Sequence, residues 1–274
     1  MNDDCVGRRI FQTWKSKTDI PDDFAYWRST VMEKNRDFSF TLWDDGDNRK
    51  FIAEFFPWFL PIYDQFPAEI YRADAVRYFY LYKNGGFYID MDTECLSPLD
   101  KFAGFEGILL GRMGPNPDFA HSVPNAIMAS RPREEFWLLL ISLIASSFHI
   151  GLRGAEALTG PIPLKSATDI YLSKEPLMSS QMIGAMAKYL PGDLKPRATR
   201  SSIKLLPPKE WYPIDWSDPV HAEFCQMQGS ALLSEDQKKR LFPASSLVTY
   251  WSHTWTEPEQ YRGIALQLAE INRR

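Results

Sequence analysis

Residues 67–92 read PAEIYRADAVRYFYLYKNGGFYIDMD. Pro67 sits where a first helical turn tolerates proline, and Ala68 to Lys83 contains no breaker, which predicts a helix. Asn84-Gly85-Gly86 supplies the left-handed-competent residues that end a helix. Phe87 to Met91 is then read as a strand rich in aromatic and β-branched residues, closing on Asp92. A long apolar helix, a sharp glycine stop and a strand ending in carboxylates form half of a strand–helix–strand unit.

The same alternation extends outward. Arg8 to Trp14 reads as a first strand, and Ile20 to Asp23 as a turn and N-cap before a helix over Phe24 to Glu33. Ser39 to Trp43 is a second strand. Asp47 is expected to cap a helix running to Phe55, and Pro57 and Pro61 bracket an irregular piece. Gly107 to Met113 and Asn125 to Ser130 give two more strands, and Arg133 to Ile150 a long apolar helix. Strand and helix in alternation predict an α/β fold with a mostly parallel sheet flanked by helices. Beyond residue 150 the pattern loosens. Helices over Ile162–Leu172 and Leu177–Tyr189 alternate with proline-rich connections. Ile203 to Leu206 reads as a strand stopped by Pro207-Pro208, Leu247 to Trp251 as a last strand, and Glu257 to Asn272 as a C-terminal helix. With no linker in view, residues 1–274 are read as one domain, 8–150 binding a ligand and 151–274 supplying a second, helical lobe and a closing loop.

Composition narrows the function. The chain has 274 residues, 45% apolar and 24% charged, which excludes disordered, collagenous and repeat classes. A net charge of −4, with no run of five basic residues, gives no footprint for nucleic acid. Cys5, Cys95 and Cys225 are too few and too scattered for a disulfide framework or a zinc site. Met1 to Arg9 is polar, no Asn-x-Ser/Thr sequon occurs, and the most apolar run, Phe136 to Ile150, is too short to span a membrane. A soluble cytoplasmic protein without a transmembrane segment, or one peripheral at a membrane, is the expectation.

The chemistry concentrates at Asp90 and Asp92. Residues two apart on a strand face the same side, and paired carboxylates repel unless a cation or a hydrogen-bond network lies between them. Hard oxygen donors suit Mg²⁺ or Mn²⁺, which keep positions for water and phosphate oxygens. Open α/β sheets bind ligands at the carboxyl ends of strands. One helical turn brings Asp74 and Arg77 together, either as a surface ion pair or, in so apolar a helix, as the wall of a polar cleft. Arg72 lies on another face and has a different task.

At Tyr71-Arg72-Ala73-Asp74-Ala75-Val76-Arg77-Tyr78 and Gly85-Gly86-x-Tyr88-x-Asp90-x-Asp92 the sequence resembles the DXD-containing glycosyltransferases of family 32. Phe11-Gln12-Thr13-Trp14, Leu42-Trp43-Asp44-Asp45, Asn125 to Ser130 and Thr159-Gly160-Pro161 match further blocks in the family's order. The resemblance implies a GT-A fold, a UDP- or GDP-sugar donor, Mn²⁺ or Mg²⁺, and a hydroxyl acceptor on a glycan, lipid or protein, as in polysaccharide biosynthesis. It assigns Asp90 and Asp92 to metal and diphosphate and Asp74 and Arg77 to the transferred sugar. Tyr88 falls near the nucleotide, and Trp14 stacks on its base or belongs to the core. Asn125 contacts the sugar or pins a loop. Two departures stand out. Phe11 replaces the family's usual His. In Thr249-Tyr250-Trp251-Ser252-His253-Thr254-Trp255 the usual His positions fall on Thr249 and Tyr250, leaving His253 as the local imidazole for a metal, with Trp251 and Trp255 beside it to cover the nucleotide.

The reading is a metal-dependent glycosyltransferase acting with retention. The metal would neutralise charge on the leaving diphosphate and Arg77 would add positive charge beside it. Two rivals follow from the same residues. One is a haloacid-dehalogenase-type phosphatase, whose DxD normally opens the fold and is followed by Thr or Val where this chain has Glu94. The other is an inactive carbohydrate-binding relative.

Overall fold

The computed structural model describes residues 4–173, 188–192, 202–221 and 233–252, with 184, 194 and 224. Its centre is a six-stranded sheet in the order β2-β1-β3-β6-β5-β7, formed by β1 (Arg9–Thr13), β2 (Ser39–Trp43), β3 (Gly86–Ile89), β5 (Ile108–Gly111), β6 (Ile127–Ser130) and β7 (Ile203–Leu206). β1 runs parallel to β2 and β3, and β5 parallel to β7. β6 is antiparallel to both β3 and β5. Five strands therefore point one way and β6 the other, so the chain leading into β6 arrives at the same sheet edge where β1 and β3 end.

The helices flank this sheet. α1 (Asp22–Lys34), α2 (Asp45–Phe55), the short α3 (Leu60–Asp64) and α4 (Glu69–Asn84) precede β3. α5 (Glu135–His149), α6 (Ala155–Leu158) and α7 (Pro161–Leu172) follow β6. α2 starts one turn earlier than the sequence suggests. Asp44 is the N-cap and Asp47 the third residue of a capping box, each side chain bonding the other's backbone N–H. Phe11, where a His was expected, is buried and stacked on Tyr80 at 5.5 Å. That packing takes a phenyl ring at no polar cost.

Gly85 and Gly86 are required by their backbones. Their φ values are +63° and +90°, and a Cβ on Gly86 would stand 2.6 Å from the Arg9 carbonyl oxygen. This close approach lets β3 pair with β1 immediately after α4 ends.

A second, two-stranded sheet joins β4 (Thr93–Cys95) to β8 (Leu247–Thr249). Behind it lies a buried ionic cluster. Lys238, on the helix α9 (Glu235–Leu241) that follows the short α8 (Pro208–Trp211), pairs with Glu94. Glu94 also accepts from the Tyr250 hydroxyl at 2.7 Å. This pairing fixes the late segment 247–252 against the residues that follow β3. Among the described residues no helix is long and apolar enough to cross a membrane. The expected helices over 177–189 and 257–272 fall largely or wholly outside the described residues.

Candidate active site

Arg77 is the hub of the site. Its α4 neighbours Val76, Tyr78, Phe79, Tyr80 and Leu81 are fully buried, so the helix carries Asp74 and Arg77 inward rather than on the surface. Nη2 of Arg77 lies 2.9 Å from Asp74 Oδ1, and Nη1 donates to the Asn125 carbonyl at 2.8 Å. The same Nη1 lies 3.3 Å from Asp90 Oδ1. The guanidinium also lies over the Tyr88 ring, 4.5 Å from its centroid. Burial works against its charge, yet Asp90, Tyr88 and Asp74 hold the guanidinium charged above its ordinary range. Asn125 closes the network by donating to Asp74 Oδ1 at 3.0 Å and to the Tyr78 hydroxyl at 3.1 Å. Arg72, on another face, donates to the carbonyls of Tyr63 and Phe66 and staples the turn before α4.

Asp90 and Asp92 do not sit on a strand. β3 stops at Ile89; Asp90 N–H donates to the Ala126 carbonyl at 2.8 Å, and the chain then turns into β4. The expected strand to Met91 is broken because residues 93–95 leave the main sheet to pair with β8, and Met91 is buried in a third core cluster that also holds Phe24, Val248 and Tyr250. The two carboxylates therefore project from a turn at the sheet's edge. Tyr88 Oη donates to Asp90 Oδ1 at 2.6 Å. Asp92 is held from the far end of the chain: the Ser252 N–H and Oγ both donate to Oδ2 at 2.9 Å, and Thr249 Oγ1 donates to Oδ1 at 3.3 Å. Trp251 makes this possible. Its φ of +52° turns the chain so that Ser252 faces Asp92, and its indole N–H donates to the Ile214 carbonyl at 3.0 Å.

The carboxylates are not equivalent. Burial pushes Asp90 up to about 6, with Arg77 opposing and the Asp92 charge adding to the rise. Burial also raises Asp74, against Arg77, Asn125 and Thr159. A carboxyl that resists ionisation beside a second carboxylate is a place where an added cation is favoured. Among the described residues no group of three or more His, Cys, Asp or Glu side chains forms a metal cage. Two oxygen ligands with room for water and phosphate fit Mg²⁺ or Mn²⁺ rather than a structural zinc.

These residues line one cleft of about 430 Å³, with Trp14, Asp74, Arg77, Tyr88, Asp90, Asp92 and Asn125 all in its wall. Trp14 follows the end of β1 and is half-buried, leaning on Phe24 at 4.6 Å and donating its indole N–H to the Asp19 carbonyl at 3.0 Å. Ring contact on one side leaves it as part of the cleft wall. His253 and Trp255 lie outside the described residues. Trp251, expected from sequence to help cover the nucleotide, does line the cleft, and so do Thr249 and Ser252, for which the run of polar and aromatic residues at 249–255 is the signal. Glu156, His121 and Trp216 also line the cleft and carry no motif.

Residues 21–108 match the sequence family described as a glycosyltransferase sugar-binding region containing a DXD motif. Inositol phosphoceramide mannosyltransferase 2 of Schizosaccharomyces pombe is 32% identical over 174 residues, which is 62% of this chain and 48% of that protein. Mannosyl phosphorylinositol ceramide synthase SUR1 of Saccharomyces cerevisiae is 37% identical over 133 residues, 48% of this chain and 33% of that protein. The chain thus spans at most about half the length of these curated relatives. Among solved structures, the PaToxG glycosyltransferase superposes with a TM-score of 0.51 at 18% identity, over 68% of this chain and 78% of that one, which supports the GT-A-type fold. The matched segment holds α4, Tyr88, Asp90 and Asp92, so this part of the chain is similar to the sugar-binding region of glycosyltransferases that contain a DXD motif.

Proposed function

We propose that this chain transfers a hexosyl group, mannosyl in the first instance, from a UDP- or GDP-sugar to a hydroxyl on a glycan, lipid or protein. The observation that carries the reading is the Arg77 network. One buried guanidinium ties Asp74, Asn125, Tyr88 and Asp90 together in the cleft that Asp92 also lines. One similar protein is named a mannosyltransferase and the other a mannosyl phosphorylinositol ceramide synthase, which supports the choice of sugar.

In this reading Asp74, Asn125 and Arg77 orient the transferred sugar by hydrogen bonds to its hydroxyls. Their own mutual bonds hold them rigid, so little is reorganised on binding. Tyr88, kept protonated by burial and the nearby carboxylates, fixes Asp90. Ser252 and Thr249 fix Asp92. Asp90 and Asp92 would hold Mn²⁺ or Mg²⁺, whose charge offsets that of the departing nucleoside diphosphate. Arg77 directs a further positive charge at the same place. Trp14 packs on the base, and His253 and Trp255 belong to the closing segment. We take transfer to proceed with retention, as the family resemblance implies, and residues 1–274 to act as one domain. Action in the cytoplasm or at a membrane surface is part of the same proposal.

A thermal-shift screen of UDP- and GDP-sugars with and without Mn²⁺ tests this. One nucleotide sugar should raise the melting temperature in a metal-dependent way. No shift with any of them overturns the reading.

A further inference from the structure

The sheet order separates the two ends of the cleft. Along the edge where β1 and β3 end, Trp14 follows β1, Asp90 follows β3, and residues 121–126 lead into the reversed β6. Trp14 and His121 therefore flank Asp90 on opposite sides. If the base lies against Trp14, the flank beyond Asn125 is left for the acceptor.

That flank has a distinct chemistry. Glu156, on α6, lines the cleft and is 32% exposed at its side chain. Among the described residues its carboxylate accepts no hydrogen bond, and its one ionic neighbour is His121 Nε2 at 3.8 Å. It shares the cleft wall with Asp74, and burial and the Asp74 charge raise its pKa. Beside it the His121 ring is buried, stacked on Phe119 at 5.4 Å and edge-on to Trp216 at 5.3 Å. Trp216 itself lines the cleft. An indole wall and a part-exposed carboxylate lining one cleft are a pairing that holds a hydroxylated ring. The ring's C–H face packs on the aromatic surface, and its hydroxyls donate to the carboxylate. Asp74 is paired with Arg77, so the Glu156 carboxylate is the group that disfavours an anion at this place.

We propose that Glu156 and Trp216 form the acceptor subsite, and that it takes an uncharged polyol ring, a sugar or a cyclitol, with any phosphate of the acceptor held outside the cleft. The assignment rests on the glycosyltransferase reading above. No proton transfer is assigned to Glu156; it binds and orients the ring.

Saturation-transfer NMR tests it with Mg²⁺, an equimolar mixture of UDP and GDP, and three probes: methyl α-mannoside, myo-inositol and myo-inositol 1-phosphate. At least one neutral ring should receive saturation, and more strongly than the phosphate. Glu156→Ala and Trp216→Leu should each weaken ring binding tenfold or more, with nucleotide affinity held within twofold. Absence of ring signal, stronger binding of the phosphate, or wild-type ring binding in both variants overturns the subsite. So does a parallel loss of nucleotide affinity, which would put the residues on the donor side. Nucleotide signals in the same spectra report on the donor site separately. Their absence strikes at the glycosyltransferase reading, whereas their presence without ring signals strikes only at the acceptor subsite.

Discussion

Replacing Arg77 by Leu keeps most of the apolar volume and removes the one cation between Asp74 and Asp90. The contact with Asp74 is in the protein interior, the Asp74 and Arg77 side chains being 9% and 5% exposed, while the Asp90 side chain is 29% exposed. Removing one partner of such a pair typically costs about 3–5 kcal/mol, because a buried charge is left uncompensated. At roughly 2–4 °C per kcal/mol for a domain of this size, the melting temperature should fall by about 6–20 °C at pH 7.5. The loss should shrink at pH 5. Without Arg77, Asp90 loses the charge that opposes its burial, so it takes up a proton there and the buried charge disappears. Arg77→Lys should fall between, since an ammonium keeps the charge but cannot reach Asp74, Asp90 and the Asn125 carbonyl at once. Differential scanning calorimetry at the two pH values reads all three proteins. A Leu variant melting within about 2 °C of wild type at pH 7.5 would refute the claim that Arg77 neutralises the buried carboxylates.

Asp90 has a folded pKa of about 6, above the ordinary 3.8, so its ionisation opposes folding as pH rises between those values. Asp90→Asn should therefore leave the ligand-free melting temperature at pH 7.5 unchanged or higher while abolishing metal-dependent nucleotide binding; a large fall in melting temperature contradicts this. In the wild type, metal–nucleotide affinity measured by calorimetry should rise with pH through about 6 and level off above it, because the ligand form is the carboxylate. Ser252→Ala should lower metal affinity more than Thr249→Ala, since Ser252 donates at 2.9 Å and Thr249 at 3.3 Å; equal effects would show that Asp92 does not depend on Ser252. Trp14→Ala should raise the donor KM with little change in kcat, and donor addition should quench tryptophan fluorescence in the wild type but less in the variant. A drop in melting temperature with KM unaltered would place Trp14 in the core.

Much of this site is written in local sequence. Asp74 and Arg77 are three apart on an unbroken helix, and the glycine pair has φ values only glycine adopts readily. The DxD lies where β3 must end. What is hidden depends on distant contacts. β4 and β8 are three residues each, too short for a period to show, and their paired residues lie 152 to 156 positions apart in the chain. Their pairing moves Asp90 and Asp92 from a strand face to a turn, and it brings Ser252 to Asp92 across 160 positions. The reversal of β6 is likewise invisible locally, since an apolar four-residue strand reads the same in either direction. That reversal sets Asn125 against Asp74, and it carries His121 into the cleft. Glu156 sits in a four-residue helix with no recognisable pattern.

The central claim is tested most directly by following nucleoside diphosphate release from the UDP- or GDP-sugar that stabilises the protein, with Mn²⁺, for the wild type and for a folded Asp92→Ala variant. The account predicts release by the wild type that stops with EDTA and is lost in the variant while its melting temperature stays near wild type. Undiminished release by Asp92→Ala, or release indifferent to metal, would contradict it.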